Sequence, residues 1–264
     1  MGEKARWEGR NTDKDAVRRD IWQGLVDGGF SMGPVWSAIP NFIGADMAAW
    51  HLARTPQWQA AKVVKCNPDP PQIPLRLRAL YEGKILYAPV PYLTKDFPYL
   101  RIDPQKLLEK GVTFELAATS EGYILYGERV EFEDVEPLDF CVVGSVAVSR
   151  EGGRTGKGAG FADLETGIFR ELGTITPDTP MATTIHSSQL VDDARILMQA
   201  HDSPLDFVAT EAELIVTGNT APRPMGVAWD HVREDQFDTI PFLRDLHGRM
   251  IERRGAGSEH PDRY

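Results

Sequence analysis

Apolar side chains recur every four residues at Val17, Ile21 and Leu25, the spacing that lines one face of an α-helix. Thr12 and Asp15 stand at capping-box separation ahead of this run, and Gly28-Gly29 follows it, so the pattern predicts a helix over 14–26. After IPNFIGA (39–45), the segment 46–53 reads as a second helix. AKVVKC (61–66) is a β-branched strand closed by NPDPP, a helix is predicted over 74–81, and KILYAPV (84–90) reads as another strand. FELAA (114–118) and DFCVVGSVAV (139–148) continue the alternation. The second of these is so uniformly apolar that it predicts a central strand covered on both faces. Leu164, Ile168, Phe169 and Leu172 mark a helix directly after a glycine-rich loop, and MATTIH (181–186) and LDFVAT (205–210) read as later strands. This alternation predicts an α/β fold, a three-layer α/β/α sandwich with a largely parallel central sheet.

The pattern fades at both ends. Residues 1–12 and 252–264 are polar, charged and aperiodic, and read as a frayed N-terminus and a flexible tail. That leaves 13–217 as the α/β domain and 218–251 as an extension packed on it. With 264 residues, 42% of them hydrophobic, the chain suits one large domain. No apolar run approaches the roughly 20 residues that span a bilayer, and the charged first residues lack the apolar core of a secretory signal. The expectation is a cytoplasmic protein with no membrane partner. Cys66 and Cys141 each lie in an apolar run and form no CxxC pair, which predicts buried thiols rather than a disulfide or zinc framework.

Charge narrows the partners. A net charge of −10 disfavours nucleic acid, whose binding needs a basic face. A small anionic ligand stays open if basic residues concentrate locally, as they do in REGGRTGKGAGFAD (150–163), which holds five glycines, two arginines and a lysine. Glycine serves where the backbone turns to positive φ or approaches a ligand closely. Consecutive amides leading into a helix N-terminus form an anion site, to which Arg154 and Lys157 would add charge-assisted contacts. Such a loop at the carboxyl end of a central strand is where open α/β sheets place ligands. Common nucleotide motifs do not fit. A Walker A loop would need glycine at Glu151 and Ser or Thr at Gly158, and the dinucleotide fingerprint would need glycine at Phe161. The competing reading is a flexible basic surface loop.

Other candidates are weaker. Residues 29–33 spell GxSxG around Ser31, but a helix precedes and Pro34 follows, so turn chemistry accounts for the glycines. His186 and His201, with Asp202 and Asp206 nearby, lack metal-ligand spacing; each is a substrate contact, a general acid/base or a structural hydrogen-bonding histidine. Arg76 and Arg78 would either bind a carboxylate or form the solvated face of a short helix. Trp229 reads as a packing anchor.

GGRTGKGAGFAD is similar to the phosphate loop of 5-formyltetrahydrofolate cyclo-ligases, of the form G-x-R-x-G-x-G-x-G-Y-Y-D. Three further matches keep order and spacing. Lys14 and Arg18 match an N-terminal Lys-x-x-x-Arg pair, NPDPPQ (67–72) with Gly83-Lys84 matches the folate-side turn, and HSSQLV with HDSPLDFVAT matches the C-terminal signatures. The resemblance covers 14–217. It implies a ligase of one-carbon metabolism that uses ATP and Mg²⁺ to convert 5-formyltetrahydrofolate, a tetrahydrofolate derivative, into 5,10-methenyltetrahydrofolate. The formyl oxygen is phosphorylated, ring nitrogen attacks the activated carbon, and phosphate leaves.

Carried onto this chain, the resemblance implies that Lys14, Arg18, Arg154 and Lys157 hold the triphosphate, cradled by Gly153, Gly156, Gly158 and Gly160. Arg154, Lys157 and Asp163 form the catalytic set, and Asp163 binds Mg²⁺. Asp69, Gln72, Arg76, Phe161, His186 and Gln189 lie on the substrate side. Departures accompany these matches. The tyrosine pair is Phe161-Ala162, Ser149 replaces a Mg²⁺-associated aspartate, and Ala159 fills a position often charged or glycine. Together with IPNFIGA, GSVAVS, GFADLE and PMGVAWD, they resemble a paralogous branch of the family. A paralogous enzyme of the same fold acting on a different small molecule, or a non-catalytic nucleotide- or folate-binding protein, is the alternative, and the oligomeric state stays open.

Overall fold

The four-residue apolar repeats form helices and the β-branched runs form strands in the computed structural model, which describes residues 5–258. In chain order come α1 (Thr12–Asp27), α2 (Ala45–Ala53), α3 (Pro56–Ala60), β1 (Val63–Cys66), α4 (Ile73–Tyr81), β2 (Ile85–Pro89) and β3 (Tyr99–Ile102). Next are α5 (Pro104–Glu109), α6 (Phe114–Ala117), α7 (Ser120–Tyr126), β4 (Glu128–Val130), β5 (Phe140–Val142), β6 (Ala147–Ser149) and β7 (Arg154–Thr155). There follow α8 (Phe161–Leu172), β8 (Met181–Thr184), β9 (Leu190–Val191), β10 (Phe207–Ala209), β11 (Leu214–Val216), α9 (Glu234–Thr239) and α10 (Leu243–Ser258).

Eight strands form one sheet in the order β11-β10-β8-β5-β1-β2-β3-β4. The inner strands β10, β8, β5, β1 and β2 are parallel, and β11, β3 and β4 join by antiparallel pairing. Side chains alternate along β1, as a strand requires. Val64 and Cys66 enter a core with Ala48 and Leu52 of α2 and Leu75 and Ala79 of α4. Lys65 lies in register with Tyr87 and Cys141, which belong to the opposite core with Leu164, Ile168 and Phe169 of α8. Helices therefore cover both faces, and the predicted sandwich is the observed one. Burial pushes the Cys66 and Cys141 thiols up to about 12, so both are inert at neutral pH.

DFCVVGSVAV departs from its expected form, a single central strand. Phe140–Val142 joins the large sheet, whereas Ala147–Ser149 pairs with β7 and β9 in a separate three-stranded sheet. Every residue of 140–149 is buried, so hydropathy could not reveal the break. Gly144 allows it: a Cβ there would stand 2.8 Å from Ile39 Cγ1 and 2.9 Å from Asp69 Oδ2. This close passage brings the small sheet beside α1, whose Val17, Ile21, Trp22 and Leu25 pack with Val146 and Ala147.

The described part of the N-terminal segment, expected to fray, is seated on the molecule. Ala5 is buried, the Trp7 ring meets Phe161 edge-on at 6.2 Å, and Arg10 pairs with Asp235. Downstream, Leu243, Leu246 and Met250 are buried beside α8; each contributes about 1.5–3 kcal/mol on complete burial. Helix α10 continues through 252–258, where a tail was expected. The expectations for 1–4 and 259–264 lie outside the described residues. Among the described residues, no helix is long and apolar enough to cross a membrane.

Candidate functional site

The glycine loop acquires its shape from both sides. Strands β6 and β7 form a hairpin turned by Gly152 at φ +89°, and Ser149 Oγ accepts from the Gly153 amide at 3.0 Å. Ser149, which stands where the resemblance implies a Mg²⁺-associated aspartate, is thus buried in the turn. Gly158 (φ +100°) passes so close to the N-terminal segment that a Cβ would lie 3.0 Å from Trp7 Cβ. Gly160, at φ +78°, is the N-cap of α8.

The loop carbonyls are tied outward. Arg18 Nε donates to Gly156 O at 2.7 Å, while Arg10 Nη1 and Gln236 Nε2 donate to Ala159 O, each at 3.4 Å. The backbone amides from Gly156 to Asp163 donate to no acceptor among the described residues. An unpaired run of amides at a helix start carries partial positive charge and is built to take an anion.

This loop lines a cavity of about 310 Å³ together with Lys14, Arg18, Asp69, Arg154, Lys157 and Asp163. Asn11 caps α1 by accepting from the Lys14 amide at 3.0 Å, which sets Lys14 and Arg18 one turn apart toward the loop. Each cation is matched by a carboxylate. Lys14 bonds Asp202, Arg18 Nη1 meets Asp15 Oδ1 at 2.6 Å, and Lys157 Nζ meets Asp69 Oδ1 at 3.2 Å. Arg154 bridges two elements, donating to Gly144 O at 3.3 Å and to Asp163 Oδ1 at 2.5 Å, and its Nε has no partner among the described residues. Burial lowers the Arg18 pKa from its ordinary value, partly opposed by Asp15 and Asp202.

Phe161 lines the cavity, flanked edge-on by Trp7 and by Tyr92, both at 6.2 Å. Tyr92 also lines it, with Lys157 Nζ 4.6 Å from its ring centre. Tyr92 and Leu93 adopt φ of +58° and +53°, unusual for side chains of this size and a sign that the surrounding structure holds them there. The aromatic wall and the phenol missing from the loop are thereby present in space, contributed by a distant segment.

Five residues expected near the ligand do not line the cavity. Gly153 turns the hairpin behind it. Gln72 is fully buried, with neither amide atom partnered among the described residues. Arg76 is fully buried and holds the NPDPPQ turn by donating to Ala118 O at 2.7 Å, to Asn67 O and to Asp69 O at 3.2 Å. Burial pulls its pKa below the ordinary value. His186 stacks on Phe30 at 4.3 Å and caps residues 187–189. Gln189 donates to Val146 O at 2.9 Å and accepts from the His186 amide at 2.8 Å. For Arg76, His186 and Gln189 the backbone had carbonyls or amides to satisfy, and these polar side chains satisfy them. His201 does line the cavity, with its ring 4.9 Å from that of His231, whereas Asp206 accepts from the Met181 amide at the start of the inner strand β8.

The cavity also takes in Arg10, Tyr92, Glu165, His231 and Gln236, none of them anticipated, and Asn67, which the sequence placed in the folate-side turn without a role of its own. For Glu165 a sequence signal existed: it falls on the apolar face that α8 turns to the sheet, as Lys65 falls within an apolar strand. Charged residues at core positions are rare unless paired.

Among the described residues, no group of three or more His, Cys, Asp or Glu could enclose a metal. Mg²⁺ needs less, since one or two carboxylates and substrate phosphates suffice. Asp163 fits that role: its side chain is 21% exposed, and only Oδ1 is committed to Arg154.

A model described as the 5-formyltetrahydrofolate cyclo-ligase family matches residues 11–211. Methenyltetrahydrofolate synthase domain-containing proteins of Bos taurus and Homo sapiens are 36% and 34% identical over 238 and 241 residues. The matches cover 88% and 89% of this chain and 61% and 62% of theirs, so the chain spans about three fifths of these curated relatives. The NMR structure of Aquifex aeolicus 5,10-methenyltetrahydrofolate synthetase shares the fold, with a TM-score of 0.50 and 20% identity over 79% of this chain and 95% of that one. Fold, loop and relatives agree, and the chain belongs to the 5-formyltetrahydrofolate cyclo-ligase family.

Proposed function

We propose that the chain is an ATP- and Mg²⁺-dependent enzyme of the cyclo-ligase type, which closes 5-formyltetrahydrofolate to 5,10-methenyltetrahydrofolate. The observation that carries this reading is the run of amides from Gly156 to Asp163, unpaired among the described residues, in a cavity shared with Lys14, Arg18, Arg154 and Lys157. Phosphoryl transfer asks the protein mainly for positioning and charge neutralisation, and these groups supply both.

Lys14 and Lys157 have compact, mobile heads that can leave Asp202 and Asp69 for phosphate oxygens. Arg18 instead spends its donors on the Gly156 carbonyl, Thr155 Oγ1 and Asp15, so it shapes the loop and adds charge from beneath. Arg154 orients the Asp163 carboxylate, whose second oxygen would hold Mg²⁺. A bound Mg²⁺ would neutralise charge on the transferring phosphoryl group. Phe161, Tyr92, Val90 and Ile39 offer an apolar wall for a ring, and Asp69, paired with Lys157, lines the same cavity.

The test is turnover. Purified protein with 5-formyltetrahydrofolate, ATP and Mg²⁺ should develop methenyltetrahydrofolate absorbance. A flat trace from folded protein that still consumes ATP with another small molecule would assign a paralogous reaction. Ligand binding with no ATP consumption would make the chain a nucleotide or folate binder.

A further inference from the structure

A charged cluster lies directly beneath the cavity and takes no part in holding the phosphate loop. Lys65 has no exposed side-chain surface, and its Nζ lies 2.8 Å from Glu165 Oε2. Tyr99 donates its hydroxyl to the same oxygen at 2.7 Å, and Lys65 also bonds Asn67 Oδ1. Burial, then the Glu165 charge, pushes the Tyr99 phenol well above its ordinary range, so it remains a donor at neutral pH. A buried ion pair gives little net stability for its desolvation cost, and an apolar pair would serve a core equally well.

Two members of the cluster reach the ligand space. Glu165 and Asn67 line the cavity, while Lys65 and Tyr99 stand behind them. Glu165 Oε1 accepts from no described residue, and Asn67 Nδ2 donates to none. With Lys65 and Tyr99 both engaging Oε2, the carboxylate has one oxygen left as acceptor. With Lys65 engaging Oδ1, the Asn67 amide is fixed in the orientation that leaves its N–H₂ free. The floor thus offers one charged acceptor and one donor, close together and desolvated.

We infer that Glu165 and Asn67 read the edge of an amino-substituted nitrogen heterocycle. Its amino and adjacent ring N–H groups would meet Glu165, and a ring nitrogen or carbonyl would meet Asn67. Lys65 and Tyr99 are positioning residues that fix the two readers. This deepens the reading above, since it rests on the cavity being the substrate site, but it does not depend on nucleotide consumption.

Pterin and lumazine separate the two claims, because they differ by an amino group against a carbonyl and carry neither formyl nor phosphate. Titration calorimetry on the full chain should show pterin binding at least about tenfold more tightly than lumazine, since a buried carboxylate facing a carbonyl is left unpaired. In Glu165→Gln the preference should fall to within about twofold, because an amide can pair with either ring edge. Should that variant unfold, Lys65→Met combined with Glu165→Leu keeps the core apolar and should lose the preference too. Equal binding of the two rings by the unmodified chain, a preference that survives in either folded variant, or no binding of either ring would overturn the inference. Absent turnover with intact ring discrimination would fault only the proposed reaction.

Discussion

The glycine loop and the floor beneath it meet at α8, yet they are assembled differently. The loop is continuous in the chain: among the described residues its amides from Gly156 to Asp163 stay unpaired, because glycine at positive φ turns the backbone just before a helix begins. The floor draws Lys65 and Asn67 from β1 and the turn after it, Tyr99 from β3 and Glu165 from α8. The loop spends backbone groups, which every sequence possesses and which cost nothing to ionise. The floor spends buried charges, which survive only in mutual company. Removing one group from the loop should therefore weaken binding, whereas removing one from the floor should weaken the fold.

The largest effect tests that contrast directly. Glu165→Leu leaves Lys65 buried without its partner and should cost about 3–5 kcal/mol in a denaturant melt. Adding Lys65→Met should recover most of this loss; no recovery would mean that the pair is not the source of the cost. At the other end, Arg154→Ala removes the charge-assisted bonds to Asp163 and the Gly144 carbonyl. MgATP affinity should fall by about 1.5–3 kcal/mol, roughly ten- to a hundredfold. Unchanged affinity by calorimetry would sever the loop from phosphate binding.

The smallest effect concerns pH. The Tyr99 phenol is held above its unfolded value by burial and by Glu165, so the stability linked to it is complete below about pH 10, the ordinary tyrosine value, and is lost as pH rises beyond it. Tyr99→Phe removes this group, so above pH 10 its stability should decline less steeply than that of the unmodified chain. The difference should approach about 1.4 kcal/mol per pH unit, read from melts at two alkaline pH values. Parallel slopes would mean that Tyr99 ionises freely in the fold.

Legibility in the sequence followed the same division. Helix α1 was plain from Val17, Ile21 and Leu25, and the loop was plain from its glycines, because periodicity and backbone freedom are local properties. The break at Gly144 was hidden, since both halves of DFCVVGSVAV are buried and only their sheets differ. The resemblance placed Arg76, His186 and Gln189 near a ligand, yet the structure uses their polar groups within turns and beside backbone carbonyls; Gln72, placed there too, is fully buried away from the cavity. Conversely, Tyr92 carried no signal, because its positive φ is imposed by the surrounding fold rather than by its own residue type.

By itself the sequence determined the alternation of strands and helices, the glycine-rich, cationic character of Arg150–Asp163 and the ancestry they jointly mark. Only the tertiary structure decided which carboxylate answers each cation: Lys14 meets Asp202 across 188 residues, and Lys65 meets Glu165. Spacing along the chain governs what one backbone segment can do alone. Strand order and helix packing govern which distant side chains share a buried space, and there an unpaired charge is too costly to keep.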